Sequence, residues 1–186
     1  MKKNNMETAK LAAFETERLN MRLMTRDEWA IFVDRTVQAE EVNESFVCEP
    51  DDAFFRFAMK TNFDTAINYS MFLADTGEFI GYVGFCIDED DPNLNNLAYY
   101  VFGEYRRQGY CIEAVKAVTD MVLNGEITEE KPDVVRALVL WGNVASSDLL
   151  VKAGYKAGNY HILDNGFAER CYAYGEVVDE EEAEGS

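Results

Sequence analysis

The sequence predicts one mixed α/β domain. Three observations point there. Strand-like and helix-like stretches follow one another in the order β-α-α-β-β-β-α-β-α-β-β. The run Val134–Leu140 is almost unbroken apolar, as expected of a strand covered on both faces. Residues 97–118 pass from an apolar, β-favouring segment through a short polar turn into a segment with apolar residues at helical spacing. At 186 residues the chain suffices for one sizeable core and is short for two. Residues 12–178 are taken as that domain. The polar segment 1–11 is expected to be mobile, and the acidic run 179–186 a solvated, disordered tail.

Each element has its own warrant. Residues 19–24 alternate apolar and polar, the period of a half-buried strand. Thr25 stands three residues before Glu28, a capping-box pair, and Trp29, Phe32, Val33 and Val37 then predict a helix to about Glu40. Residues 41–53 have no period and contain Pro50; they read as a surface connection or a substrate lid. Phe54, Phe55, Ala58 and Met59 predict a further short helix. Residues 68–74 and 78–87 are β-rich runs around the turn Asp75-Thr76-Gly77, a hairpin signal. The acidic stretch 88–93 breaks the pattern at Pro92. A strand over 97–102 follows, then a polar turn and a helix to about Asn124, built on Ile112, Val115, Val118, Met121 and Val122. After the loop 125–133 and the strand 134–140, a short helix over 146–153 is closed by Gly154 as C-cap. Residues 155–163 and 167–177 end the domain as two strands around Asp164-Asn165-Gly166, a hairpin turn.

Charge constrains the partners. Lys plus Arg is 17 against 35 Asp plus Glu, a formal net charge of −18. Such a surface repels nucleic-acid phosphates and anionic membranes and favours cationic partners; neither nucleic acid nor membrane is expected. Cys48, Cys86, Cys111 and Cys171 are scattered without metal-type pairing, so no metal is expected. Free thiols fit a reducing cytoplasm. The opening residues carry no apolar signal core, and no run approaches the ~18 apolar residues of a membrane helix.

The turn Arg106-Arg107-Gln108-Gly109 holds the chemistry. A strand entering a helix leaves the first-turn N–H groups without intrahelical partners. Those donors and the positive end of the helix dipole suit an anion, most often a phosphate or pyrophosphate. Gly109 has no side chain to hold a phosphate off the backbone, and the arginines offer charge-assisted hydrogen bonds. From spacing alone, an ordinary strand–turn–helix connection with solvated arginines accounts for the same residues.

Two longer stretches add a resemblance. Residues 97–114 (Leu-Ala-Tyr-Tyr-Val-Phe-Gly-Glu-Tyr-Arg-Arg-Gln-Gly-Tyr-Cys-Ile-Glu-Ala) and residues 143–155 (Asn-Val-Ala-Ser-Ser-Asp-Leu-Leu-Val-Lys-Ala-Gly-Tyr) occur in order with a strand between them. Residues 16–25 add an opening strand. In these the chain resembles the GCN5-related N-acetyltransferase (GNAT) superfamily, and particularly its branch of ribosomal-protein and small-amine acetyltransferases (RimJ/RimL-like). The resemblance implies a mixed, largely antiparallel central sheet of about six to seven strands, flanked by helices on both faces. It also implies acetyl-CoA as co-substrate. The loop Arg106-Arg107-Gln108-Gly109-Tyr110-Cys111 and Ile112 would surround the diphosphate. Tyr100, Val101 and Phe102 would hydrogen-bond the pantetheine arm through their backbone, and Asn143 would contact it from the next strand's end. Arg107 stands where the family commonly has glycine, Cys111 where Gly or Ala is usual, and Leu150 where many relatives place a tyrosine.

Acyl transfer to an amine needs a neutral amine, a polarised thioester carbonyl and a protonated leaving thiolate. The resemblance gives the carbonyl to backbone N–H near Val101 and Phe102, and the thiolate to Ser146, which also reads as a plain helix cap. His161, the one histidine, is a candidate base because its side chain changes charge near neutral pH; a satisfied structural or exposed histidine is the more ordinary reading. Asp164 is a weaker candidate, and a water relay leaves no signature. The expected activity is direct acetyl transfer from acetyl-CoA to a primary amine, on a protein N-terminus or a small, cationic molecule, by a monomer or homodimer. The alternative is a GNAT-fold module that binds CoA or a partner protein without turnover.

Overall fold

The chain enters the fold through two short antiparallel strands, Phe14–Glu15 (β1) and Leu19–Leu23 (β2). The computed structural model describes residues 12–38, 63, 66–87, 91, 95–127, 131–163, 166 and 168–175. The expectations for residues 1–11, 41–53, the helix at 54–59 and the tail 179–186 lie outside these. Thr25 and Glu28 close the expected capping box: the Glu28 N–H donates to Thr25 Oγ1 and the Thr25 N–H to Glu28 Oε2. The helix that follows, α1, spans Arg26–Gln38. The Glu28 carboxylate also accepts from Arg22 and Ser70, tying the helix start to the sheet.

The next strands are Ile67–Leu73 (β3), Phe79–Ile87 (β4) and Asn95–Val101 (β5), all antiparallel to their neighbours. A 3₁₀ turn, Gly103–Tyr105, leads to α2, Tyr110–Leu123. Val134–Leu140 (β6), Val144–Ala153 (α3), Lys156–Ile162 (β7) and Ala168–Gly175 (β8) complete the chain. Gly154 closes α3 at φ 101°, the left-handed C-cap that only glycine adopts without cost.

Among the described residues eight strands form two sheets, β1-β2-β3-β4-β5 and β6-β8-β7, in the expected mixed, largely antiparallel architecture. The division falls between β5 and β6, and asparagine side chains bridge it. Asn95 Nδ2 donates to the Val134 carbonyl at 2.7 Å, and its Oδ1 accepts the Arg136 N–H at 2.8 Å. Asn96 Oδ1 accepts the Leu138 N–H at 3.1 Å. The carboxamides thus stand where a backbone ladder would, and hold the two strands together at the Asn95 end.

Helices lie on both faces. On one, Trp29, Phe32 and Val33 of α1 pack with Tyr82 and Phe102, with Tyr100 at their margin. Arg35 of α1 lies over the Phe102 ring at 3.6 Å and pairs with Glu104 of the 3₁₀ turn. On the other, Ala114, Val115, Val118 and Val122 of α2 join Val83, Phe85, Leu97, Val101, Val135, Ala137, Val139 and Leu150 in the main core. Each fully buried valine contributes roughly 1.5–2 kcal/mol. One expectation needs correction: β6 is not covered on both faces. Leu138 is 47% exposed and Arg136 only half-buried, because α2 and α3 cover just the Val135-Ala137-Val139 side.

Candidate active site

The outer edge of β5 is the first component. Phe102 donates its N–H to the Ile80 carbonyl, and pairing alternates along the β4–β5 ladder. Tyr100 therefore shares the direction of Phe102, toward β4, while Val101 and Tyr99 turn their backbone groups the other way, toward β6. No backbone pairing joins β5 to β6, and the Val101 carbonyl instead accepts from Arg106 Nε at 3.0 Å. Of the three residues assigned to an added edge strand, only Val101 offers its backbone to the opening. Phe102 and Tyr100 are committed to the sheet, and their rings pack on the α1 face. The donors expected near Val101 and Phe102 reduce to Val101 for this geometric reason.

The turn is the second component. Gly109 is the N-cap of α2 at φ 86°, and no side chain caps that end. The amides of Tyr110, Cys111 and Ile112 have no acceptor within the helix. Arg107 also takes a positive φ, 60°. Left-handed residues placed among right-handed ones turn successive N–H groups to one concave side, which makes an anion nest. Gln108 is exposed, and its side chain folds back to the Glu104 carbonyl. Burial pushes the Cys111 thiol up to about 12, with Arg106 opposing, so this cysteine stays neutral and serves as a small packing group.

The third component is the start of α3. Asn143 Oδ1 accepts the Ser146 N–H at 3.1 Å, so its carbonyl end is used as the helix cap and its Nδ2 remains the donating end. Ser146 is half-buried in that first turn, while Leu150, one turn further, is buried in the core. His161 lies elsewhere. It is exposed on β7, the edge strand of the smaller sheet; its cross-strand partner is Glu169 of β8, whose own partner on β6 is Leu140. Two strand spacings, about 10 Å, separate His161 from β6. The structure therefore does not bring His161 to the opening.

Several residues here have no signature in the sequence. Tyr99 projects from β5 to the first turn of α3, where its hydroxyl donates to the Ser146 carbonyl at 3.4 Å. Burial raises this phenol above its ordinary value, and the Ser146 contact only partly offsets that, so it remains protonated at neutral pH. Arg18 reaches the turn from the bend between β1 and β2 and bonds the Gln108 carbonyl. Among the described residues, no group of three or more His, Cys, Asp or Glu is placed to hold a metal ion. No helix among them is long and apolar enough to cross a membrane.

An open strand edge beside an amide-lined turn is a site for an extended arm that ends in phosphate. The residues fit such a group, since no side chain caps the helix start at Gly109 and the first-turn amides are left without intrahelical acceptors. The model of the GNAT acetyltransferase domain matches residues 18–156, so the chain belongs to the GNAT acetyltransferases. It is an N-acetyltransferase whose co-substrate is acetyl-CoA. No curated protein matches the sequence. Among solved structures, an acetyltransferase of Agrobacterium tumefaciens superposes with a TM-score of 0.72 at 16% identity, over 89% of this chain and 95% of its own. The ribosomal L7/L12 alpha-N-protein acetyltransferase RimL, in complex with coenzyme A, gives 0.68 at 13%, over 88% and 98%. The ribosomal-protein-S5-alanine acetyltransferase of Vibrio fischeri gives 0.67 at 15%, over 88% and 96%. At these identities the likeness is one of fold.

Proposed function

We propose that this chain transfers the acetyl group of acetyl-CoA directly to a primary amine, on a protein N-terminus or a small cationic molecule in the cytoplasm. The observation that carries the reading is the opening between β5 and β6, which brings the Val101 backbone, the Gly109 turn and the start of α3 together. Arg106, Arg107, Gln108, Gly109, Tyr110, Cys111 and Ile112 surround the diphosphate, Val101 pairs with the pantetheine arm, and the Asn143 amide donates to it.

In the reaction the amine nitrogen bonds to the thioester carbonyl carbon as the carbon–sulfur bond breaks. The Val101 N–H polarises the carbonyl. Ser146 and Tyr99, which meet at the first turn of α3, supply the proton that the thiolate takes up. A phenol held protonated is a donor rather than a base. The ammonium proton leaves through water; Glu169, one strand from β6, stands nearer to the opening than His161, two strands away. The fold's likeness to two ribosomal-protein acetyltransferases makes a protein N-terminus the first acceptor to test.

A thioester-cleavage assay against N-terminal peptides, polyamines and amino-sugars tests the reading. Turnover with at least one amine is expected, and CoA retention without any turnover would instead support a binding module. Tyr99→Phe and Ser146→Ala are each expected to lower kcat about tenfold or more with CoA affinity unchanged; a normal kcat in both would remove the proton-donor assignment. Glu169→Gln should lower kcat/KM more than His161→Ala does, and the reverse order would return the base to His161. Gly109→Glu is expected to abolish CoA binding in a folded protein.

A further inference from the structure

We infer that Arg18 is a positioning residue for the CoA cradle, aiming the Gly109 amide rather than meeting a phosphate itself. This rests on the turn being the diphosphate site. Arg18 is separated from that turn by about ninety residues of sequence, yet four contacts converge there. Its NH1 donates to the Gln108 carbonyl at 2.8 Å. Its Nε donates to Glu113 Oε2 at 2.8 Å, and NH2 lies 2.7 Å from the same oxygen. Its guanidinium carbon lies 4.7 Å from the centre of the Tyr110 ring. A Cβ added at Gly109 would come within 3.1 Å of its NH2, so the guanidinium lies directly against the glycine.

The peptide plane gives this arrangement its meaning. In a trans peptide the carbonyl and the following N–H point in opposite directions. Arg18 holds the Gln108 carbonyl on its own side, which turns the Gly109 N–H away from the guanidinium. Without that anchor, the peptide between Gln108 and Gly109 is free to flip, since glycine tolerates both signs of φ. A flip would put a carbonyl oxygen where an anion should sit.

Glu113 holds the anchor in place. Its Oε1 accepts from Thr16 Oγ1 at 2.6 Å and from the Arg18 N–H at 2.8 Å, while Oε2 takes the Arg18 side chain. The carboxylate neutralises the guanidinium, so Arg18 contributes orientation and little net field. Ordinary sequence periodicity does not connect these positions; only folding β1 and β2 against the start of α2 brings them together.

Titration calorimetry with CoA and steady-state kinetics with acetyl-CoA test the assignment. Arg18→Met, which keeps the stem and loses the donors, is expected to raise the CoA Kd and the acetyl-CoA KM about tenfold, with kcat changed less than twofold. The dependence of Kd on salt should match that of the wild type, because no ion pair with phosphate has been removed; a clearly shallower dependence would show direct phosphate contact and overturn the positioning role. An unchanged Kd would also overturn it. Should Arg18→Met fail to fold, Arg18→Lys serves: one ammonium can bond Glu113 but cannot also span to the Gln108 carbonyl, and the same rise in Kd is expected. Wild-type protein that bound no CoA would count against the cradle itself, before any variant is compared.

Discussion

Arg107 shows how one residue departs from the local rules at a site. An L-residue in the left-handed region costs roughly 1–2 kcal/mol, and here an arginine bears that cost at φ 60° where glycine would adopt it freely. Arg107→Gly is expected to stabilise the protein by up to about 1 kcal/mol, part of the relief being offset by the greater freedom of glycine in the unfolded chain. Arg107→Val should lose about 1 kcal/mol or more, because a branched Cβ fits that region worst. Urea unfolding distinguishes the two, and equal stability of both variants would contradict the conformation. The Glu113 clasp gives a second expectation at this scale. Partial burial raises the carboxyl's pKa, but the bonds from Thr16 and Arg18 outweigh it and hold the group below its ordinary 4.5. A depressed carboxylate stabilises the fold fully above that ordinary value and loses its contribution as pH falls through the lower folded value. CoA affinity, measured by calorimetry, should therefore hold from neutrality down to about pH 4.5 and weaken below it in wild type, but not in a Glu113→Gln variant. The arginine at position 107 was visible in the sequence as standing in a glycine's place; its backbone angle was not, because φ depends on how the turn closes between two packed elements.

At the scale of elements, the join between β5 and β6 is the most consequential. Asn95 is 8% exposed and serves both a carbonyl and an N–H of β6. Asn95→Ala leaves two backbone groups at that buried join without their partner, at about 1–3 kcal/mol each, so a loss near 3 kcal/mol is expected in urea unfolding. A loss under 1 kcal/mol would mean that water replaces the carboxamide. Most elements were readable beforehand: the capping box of α1, the stripe of α2, the C-cap at Gly154 and the strand Val134–Leu140 each rest on local chemistry. What local pattern could not supply was the partnering. The run over β6 predicts burial on two sides, yet one side of Leu138 is open, because an apolar sequence does not state which faces find a neighbour. Likewise, nothing in the local pattern marks Asn95 and Asn96 as side chains that replace a ladder. His161 fell on the strand expected of it, but the order β6-β8-β7 sets that strand outermost.

For the whole molecule, the charge of −18 bears on the acceptor rather than on CoA, which is itself an anion. In the proposed reading the turn concentrates its donors locally, because the long-range field opposes an anionic nucleotide. A cationic acceptor, by contrast, is drawn in by that field, and the attraction falls as salt shortens the screening length from about 10 Å at 0.1 M to about 3 Å at 1 M. The KM for a lysine- or arginine-rich peptide acceptor is therefore expected to rise several-fold between those concentrations. The KM of an uncharged amine-bearing peptide should barely move, and parallel behaviour of the two would remove the electrostatic argument. The fold class was legible because the motifs bearing it are contiguous in the chain, and the proposed ligand corner was locatable for the same reason. The Arg18 anchor and the Tyr99 hydroxyl were not, since each acts across elements far apart in the chain.

The asparagine bridge makes aperture a matter of linker length. Backbone ladders enforce one strand spacing, whereas a carboxamide arm carries its amide as far as its methylenes extend. Substituting glutamine at position 95 or 96 would lengthen the arm by a single carbon and leave its bonding groups intact. The separation of β5 and β6 would then be set at the Asn95 end, remote from the Val101 edge.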